Sequence, residues 1–340
     1  MFDIKLIEKM WDTVERDGIG SLARPWQTRR EGRANVDARR DELLMLAQTE
    51  IDIADIRAGK KTFTDNRKLI SVIEDNSEPL LLNKSDCRIE PYFTLNSIEV
   101  NSEQRTKVQH MKEHINITKA LLYAEDELEK NYQDQEGSDE DIDPDWLVRW
   151  RDCTAKVNSD ELQRLWAKAL AGEIANPGSY SLRTLEFIKN ISYSEANEVS
   201  KLAPFVMFGN IYKMQCLIDA GLDFSYLLEM EDLGILSGVK GGGLNFTWDS
   251  GTKDCFEQVV VHNNKYLSIK HESESQKPHF SIYKVTKIGC EVLRLGVFPV
   301  NTIYLEQIGL EAKKQGFEVT LADWKQVAKD KGQLFNQYKL

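Results

Sequence analysis

Residues 143–191, DPDWLVRWRDCTAKVNSDELQRLWAKALAGEIANPGSYSLRTLEFIKNI, constrain the fold more than any other stretch. Helix start and stop signals recur through it. Asp143 can cap a helix with Pro144 at its first position, where a missing N–H costs nothing. Trp146, Leu147, Trp150 and Cys153 then share one face. Asn158 reads as the cap of a second helix, with Glu161 as its capping-box partner. Leu162, Leu165, Trp166, Ala169 and Leu170 form that helix's apolar face. The small residues Ala167, Ala169, Ala171 and Gly172 let a neighbour approach closely. Asn176-Pro177-Gly178 stops it. A third helix is expected over 181–189, and Ser192 with Glu195 forms a capping box opening a helix through Ala203. The stretch holds three of the seven tryptophans, so these helices are expected to form a tight hub.

Upstream, residues 2–16 read as an amphipathic helix with Leu6, Ile7, Met10, Trp11 and Val14 on one face. Its polar face is as acidic as it is basic, which favours docking on protein over lying on a membrane. Ile7, Met10, Trp11 and Val14 are therefore candidate docking residues, for the chain's own core or for a partner. A second long helix is expected over about 27–58. Its first half carries Arg29, Arg30, Arg33, Arg39 and Arg40, a strip able to neutralise phosphates. Its second half is apolar at Leu43, Leu46, Ala47, Ile51 and Ala54. A third long helix over about 97–131 carries Val108, Met111, Ile115, Leu122 and Leu128 at near-heptad spacing. It must bury that stripe against something. The second helix is the natural partner, as an antiparallel pair or in an oligomeric coiled coil.

Residues 133–145 are dense in acid and free of base, which reads as a flexible linker. Beyond residue 209 the pattern turns to α+β. Helices are expected over about 211–220 and 223–233, and extended segments over 243–248, 256–262, 266–271 and 279–285. Gly241–Gly243 reads as a hairpin turn. Thr286 caps a helix through Leu295, another helix covers about 302–315, a strand covers 317–321, and a terminal helix starts near Ala322. Helix, helix, hairpin and threonine-capped helix is the layout of a winged helix, with about fifty residues in its wing.

Signatures of chemistry are absent. His110 and His114 have the spacing of two zinc ligands but lack the metalloprotease order and a third ligand. Asp139, Asp141, Asp143 and Asp145 alternate like a calcium loop, but Pro144 and Trp150 stand where glycine and glutamate are required. The glycine run has no phosphate-loop lysine after it. Five scattered cysteines without a Cys-x-x-Cys pair read as reduced thiols, and a cytoplasmic setting is expected. No apolar run reaches the ~18–20 residues that span a bilayer. The net charge of −11 disfavours non-specific binding of DNA or acidic membranes by the whole molecule. The expected second wing helix, DFSYLLEMEDLG, has four acids and no base, so a duplex would repel it.

The hub resembles the bacterial domain-of-unknown-function family 2806. The resemblance is carried by Trp150, Asp160–Ala167, Ala171-Gly172-Glu173-Ile174, Pro177-Gly178-Ser179, Ser181–Leu185 and the Ile191-Ser192 turn. Leu233–Leu236 and Thr286–Gly289 also fit its C-terminal part. Trp146, Trp150, Leu165, Trp166, Glu173, Pro177 and Gly178 are then expected to be structural motif residues. The Leu165-Trp166-Ala167…Ala169-Leu170 core is distantly similar to the alpha-type abortive infection proteins, which implies a role in phage defence. The family has no assigned activity, so no catalytic residue follows from it.

A mainly helical protein with an α+β C-terminal part is expected. Long helices occupy 1–132, the acidic linker 133–145, the hub 146–208 and a winged-helix-like domain 209–340. The leading functional expectation is a non-enzymatic interaction or sensor protein that self-associates or docks a protein partner, with no cofactor and no metal. The alternatives are nucleic-acid binding through the Arg29–Arg40 strip and a hydrolase with scattered catalytic residues.

Overall fold

The computed structural model describes residues 5–14, 16, 35–58, 60–63, 69–71, 95–132, 138, 140–262, 264–296, 298–299, 301–328 and 331–340. Among them are eleven α-helices and ten strands, the sheets being antiparallel. The chain divides into two compact units, 1–180 and 181–340. That division passes through the hub at 146–208, so its first two helices and its last two belong to different units.

The first unit is helical. Helix α1 (Lys5–Val14) buries Leu6, Met10, Trp11 and Val14. Helix α2 (Asn35–Arg57) is followed by a small hairpin of β1 (Lys61–Phe63) and β2 (Leu69–Ser71). Helix α3 (Leu95–Asn131) is the unit's spine. Helices α4 (Pro144–Thr154) and α5 (Asp160–Ala175) complete it. The stripe on α3 is buried at Val108, Ile115, Leu122 and Leu128, and Leu121, Ala120 and Ala124 widen it. Its main partner is α5, with α2 contributing further out, where Ile53 and Ile56 cluster with Val108 and Ile115. The expected pairing with α2 thus holds only for the N-terminal part of α3. Glu50 of α2 meets Lys119 of α3 at 2.5 Å.

The caps of α4 follow expectation, Asp143 accepting from the Asp145 N–H at 2.9 Å with Pro144 next. For α5 the cap is Ser159, not Asn158, because its hydroxyl is the group that reaches the Leu162 N–H. The acidic stretch is anchored where described. Ile142 is buried, Ser138 N–H donates to the Ala175 carbonyl, Lys9 Nζ donates to the carbonyls of Ser138 and Glu140, and Arg16 pairs with Asp141.

Gly172 shows how close the helices come. A Cβ there would lie 2.6 Å from Tyr180 Cε2 and 3.4 Å from Tyr132 Oη. Gly172→Ala should therefore destabilise by about 1–2 kcal/mol, the overpacking cost exceeding the gain in helix propensity. Chemical denaturation checks this, and a stabilised variant would show that Tyr180 yields freely.

The second unit is mixed. Helix α6 (Leu182–Asn190) is capped by Ser181, and α7 (Tyr193–Leu202) by the Ser192–Glu195 capping box. Residues 210–212 form strand β3 (Asn210–Tyr212), not the start of a helix; Tyr212 is locked there by pairing with β8. Helices α8 (Gln215–Asp219) and α9 (Phe224–Asp232) follow. Strands β4 (Leu236–Ser237) and β5 (Leu244–Thr247) come next. They pair with successive stretches of β8 (His279–Val285), so Gly241–Gly243 belongs to a loop interrupting one edge and not to a hairpin turn. This first sheet has the order β3-β8-β4, with β5 also on β8.

Strands β6 (Phe256–His262) and β7 (Lys265–His271) form a hairpin that joins β9 (Glu318–Ala328) and β10 (Lys331–Lys339) in the order β10-β9-β7-β6. Helices α10 (Lys287–Leu293) and α11 (Thr302–Lys314) lie between the two strand sets in sequence. The terminal helix expected from Ala322 is a strand pair instead. The outer ring of that pair is Trp324, stacked on Tyr266 and resting on Gly332, where a Cβ would come within 2.0 Å of the indole. One core unites the sheets with α11, through Tyr212, Trp248, Phe256, Leu267, Ile269, Tyr304, Ile308 and Leu321 among others.

Candidate functional site

The motif residues of the hub turn their chemistry inward. Trp146 Nε1 donates to the Tyr180 carbonyl at 2.7 Å, and Trp150 Nε1 to the Trp166 carbonyl at 2.9 Å. Both indoles are buried, as is Trp166, while Leu165 is half-buried. Glu173 is 2% exposed. Its two oxygens accept the N–H groups of Gly178 at 2.6 Å and Tyr180 at 2.9 Å. The carboxylate thus holds the Pro177–Tyr180 turn, in which Gly178 has φ +82°, a conformation that suits glycine. A buried, doubly bonded carboxylate is a brace.

A second buried carboxylate was not foreseen. Glu291 on α10 is fully buried and accepts from Ser181 N–H at 2.7 Å, Ser181 Oγ at 2.9 Å and the Thr184 hydroxyl. It fastens the first turn of α6 to α10 within the second unit. Lys287 Nζ lies 3.7 Å from its other oxygen.

The residues nominated from sequence fare differently. Arg29, Arg30 and Arg33 lie outside the described residues. Arg39 and Arg40 fall on α2, and their side chains are not among those described. Met10, Trp11 and Val14 are buried, Ile7 is half-buried, and α1 packs on α3 and α5. Of the two expected alternatives, the chain's own core and a partner, this packing is the first. His110 and His114 are exposed on α3, with His110 3.7 Å from Glu113. No group of three or more metal-ligating side chains occurs among the described residues. Cys153, Cys216, Cys255 and Cys290 are free thiols. No helix of the described residues is long and apolar enough to cross a membrane.

Three surface features remain as candidates. The first is on α2. Its expected apolar face is largely left in solvent: Ala47, Ile51 and Ala54 are exposed, and Leu44, one heptad before Ile51, is 57% exposed. The buried stripe is Leu46, Ile53 and Ile56, rotated around the helix towards α3.

The second feature is the Gly238–Gly243 loop. Glu231 accepts the N–H groups of Val239 at 2.9 Å and Lys240 at 3.0 Å, while Lys213 Nζ donates to the Gly242 carbonyl at 2.7 Å. Desolvation pushes the Glu231 pKa up, but these backbone bonds and the Lys240 charge outweigh it and leave it lowered. A lowered folded-state pKa stabilises the loop above the unfolded value, and the effect is lost as pH falls through the folded value. Protection of the Val239 and Lys240 amides should thus fall as pH drops below about 4.3. Glu231→Gln should abolish that dependence in amide exchange; an unchanged acid limb would remove the carboxylate from the account.

Beside this loop lies the third feature, an open groove of about 540 Å³ lined by Lys213, Gln215, Gln307, Leu310, Lys313 and Lys314, among others. Glu311 also lines it and pairs with Lys314 at 3.0 Å. Lysines outnumber acids on its walls, so the groove is a candidate anion contact.

The model of a family described as a protein of unknown function (DUF2806) matches residues 101–220, from within α3 through α8. No curated protein and no solved structure matches the chain.

Proposed function

We propose that this chain is a non-enzymatic interaction protein that associates, with itself or with a protein partner, through the exposed face of α2. One observation carries the reading. A 23-residue helix predicted to bury Ala47, Ile51 and Ala54 leaves them, with Leu44, in solvent. Unpartnered apolar stripes on long helices mark association surfaces. The braced hub fits a scaffold, since both oxygens of the buried Glu173 are taken up by backbone donors.

The second unit supports the same reading. Strand order β3-β8-β4, with α8 and α9 between the first and second of these in sequence, favours a winged-helix-like module carrying the β6–β7 hairpin as an insertion. The helix that would enter a major groove is α9, whose exposed positions include Asp223, Phe224, Glu229 and Asp232. A phosphate backbone repels that face, whereas a protein surface can accept it. The cellular setting we propose is bacterial defence against phage, on the resemblance of the Leu165–Leu170 core to abortive infection proteins.

The lysine groove favours a second reading, nucleic-acid binding. Binding of labelled DNA and RNA at low and moderate salt separates the two. The interaction reading expects no salt-steep binding. Affinity that falls steeply with salt, and is lost on Lys213→Gln/Lys313→Gln/Lys314→Gln, would replace it.

A further inference from the structure

A groove of about 570 Å³ lies within the first unit, lined by Glu50, Ile53, Ala54 and Arg57 of α2, Lys112, Ile115 and Asn116 of α3, and Asn158 just before α5, together with Ala58. Its size is that of a small-molecule site, and its walls are mixed, with Ile53, Ala54, Ala58 and Ile115 beside Glu50, Arg57, Lys112, Asn116 and Asn158. We propose that this groove binds a small phosphomonoester, with Arg57 and Lys112 as the cations that receive the phosphate.

The charge argument starts from Glu50, the only acid on the described walls. It is already engaged by Lys119 at 2.5 Å, and Lys119 also lies 3.7 Å from Asp160. Arg57 and Lys112 have no ion pair among the described residues, although neighbouring cations such as Lys61 are paired twice, with Asp52 and Asp55. Two uncompensated positive charges match the −1.5 to −2 charge of a phosphomonoester at neutral pH better than the single charge of a carboxylate. A guanidinium and an ammonium lining one groove also offer the donors that phosphate oxygens take.

The second argument is the polar floor. Asn116 is 3% exposed and held rigidly: its Nδ2 donates to the Ala155 carbonyl at 2.8 Å, and its Oδ1 accepts from Gln163 Nε2 at 3.2 Å. Gln163 is 1% exposed, and its Oε1 has no hydrogen-bond partner. The proposal goes beyond the interaction reading and does not rest on it: the groove and the exposed α2 stripe are separate sets of side chains apart from Ala54.

The test is calorimetric titration of the full chain with AMP, glycerol 3-phosphate and inorganic phosphate, with lactate as the singly charged carboxylate control. Saturable one-to-one binding of a phosphomonoester is expected, at least tenfold tighter than lactate. Arg57→Gln/Lys112→Gln should weaken it at least tenfold while leaving the melting temperature of the free protein unchanged. Arg105→Gln/Lys107→Gln, exposed on the same α3, should leave binding as it was. Should the first double variant melt earlier, Lys112→Gln alone carries the test. No saturable heat from any phosphate compound at millimolar concentration overturns the proposal, as does equal loss in both double variants, which would mark diffuse charge attraction. Lactate binding as tightly as the phosphates also overturns it.

Discussion

Trp150→Ala lowers the unfolding free energy by about 4 kcal/mol, within the range for deleting a large buried aromatic. The indole is fully buried, and its N–H ends on the Trp166 carbonyl across the α4–α5 contact. Alanine removes the apolar area and leaves a cavity in a close-packed interior that relaxes only partly around it. Trp150→Phe separates the contributions. It keeps most of the ring volume and loses the donor, so about 1–2 kcal/mol is expected. Urea unfolding followed by far-ultraviolet circular dichroism measures both. A loss below about 1 kcal/mol for alanine would mean that the hub is not the packed centre of its unit.

Glu291→Ala is the second large effect, expected at about 3 kcal/mol. Three donors converge on one carboxylate oxygen, and with alanine the Ser181 N–H and the buried Thr184 hydroxyl lose their acceptor. Glu291→Gln retains a carbonyl oxygen of similar reach and should recover more than half of the loss. Amide exchange at the start of α6 reports the site directly. Unchanged protection of Thr184 in the alanine variant would show that Ser181 caps the helix without help from α10.

What could be read from the residues, and what could not, divides by range. The caps at Asp143, Ser192 and Thr286 are local chemistry, a short side chain reaching an N–H two or three residues on, and all three stand where the pattern puts them. The Asn158/Ser159 error is one residue wide and comes from two adjacent residues with equal capping ability. Strands 256–262 and 279–285 were legible from alternation. The terminal β9–β10 pair was not, because β9 is held by pairing with β7, which is distant in sequence. The strand at Asn210–Tyr212 was missed for the same reason.

The candidate sites were less legible than the fold. Glu173 had a readable signal: it falls at i+7 from Trp166 and i+4 from Ala169, on the apolar face of α5, where an acid must be satisfied internally. Glu291 sits in a seven-residue helix, too short to show a face. The spacing of α2 points to Leu43, Leu46, Ala47, Ile51 and Ala54, but Ile53 and Ile56, outside that set, make the contact with α3. Periodicity shows that a face exists, not whether the chain itself covers it. The α2 groove combines groups from 50–58, 112–116 and 158, a juxtaposition only the tertiary structure brings about.

The central claim is association through α2, and the most direct measurement is mass in solution. Light scattering should be recorded from micromolar to hundred-micromolar protein for the wild type and for Leu44→Glu/Ile51→Glu, with a tagged copy used in parallel to retrieve proteins from phage-challenged and unchallenged cells. The account predicts an oligomer, or a stoichiometric complex with one protein, that is lost in the double variant while the helical content is kept. A wild-type protein that stays monomeric throughout and retrieves no partner that the variant fails to retrieve would contradict it.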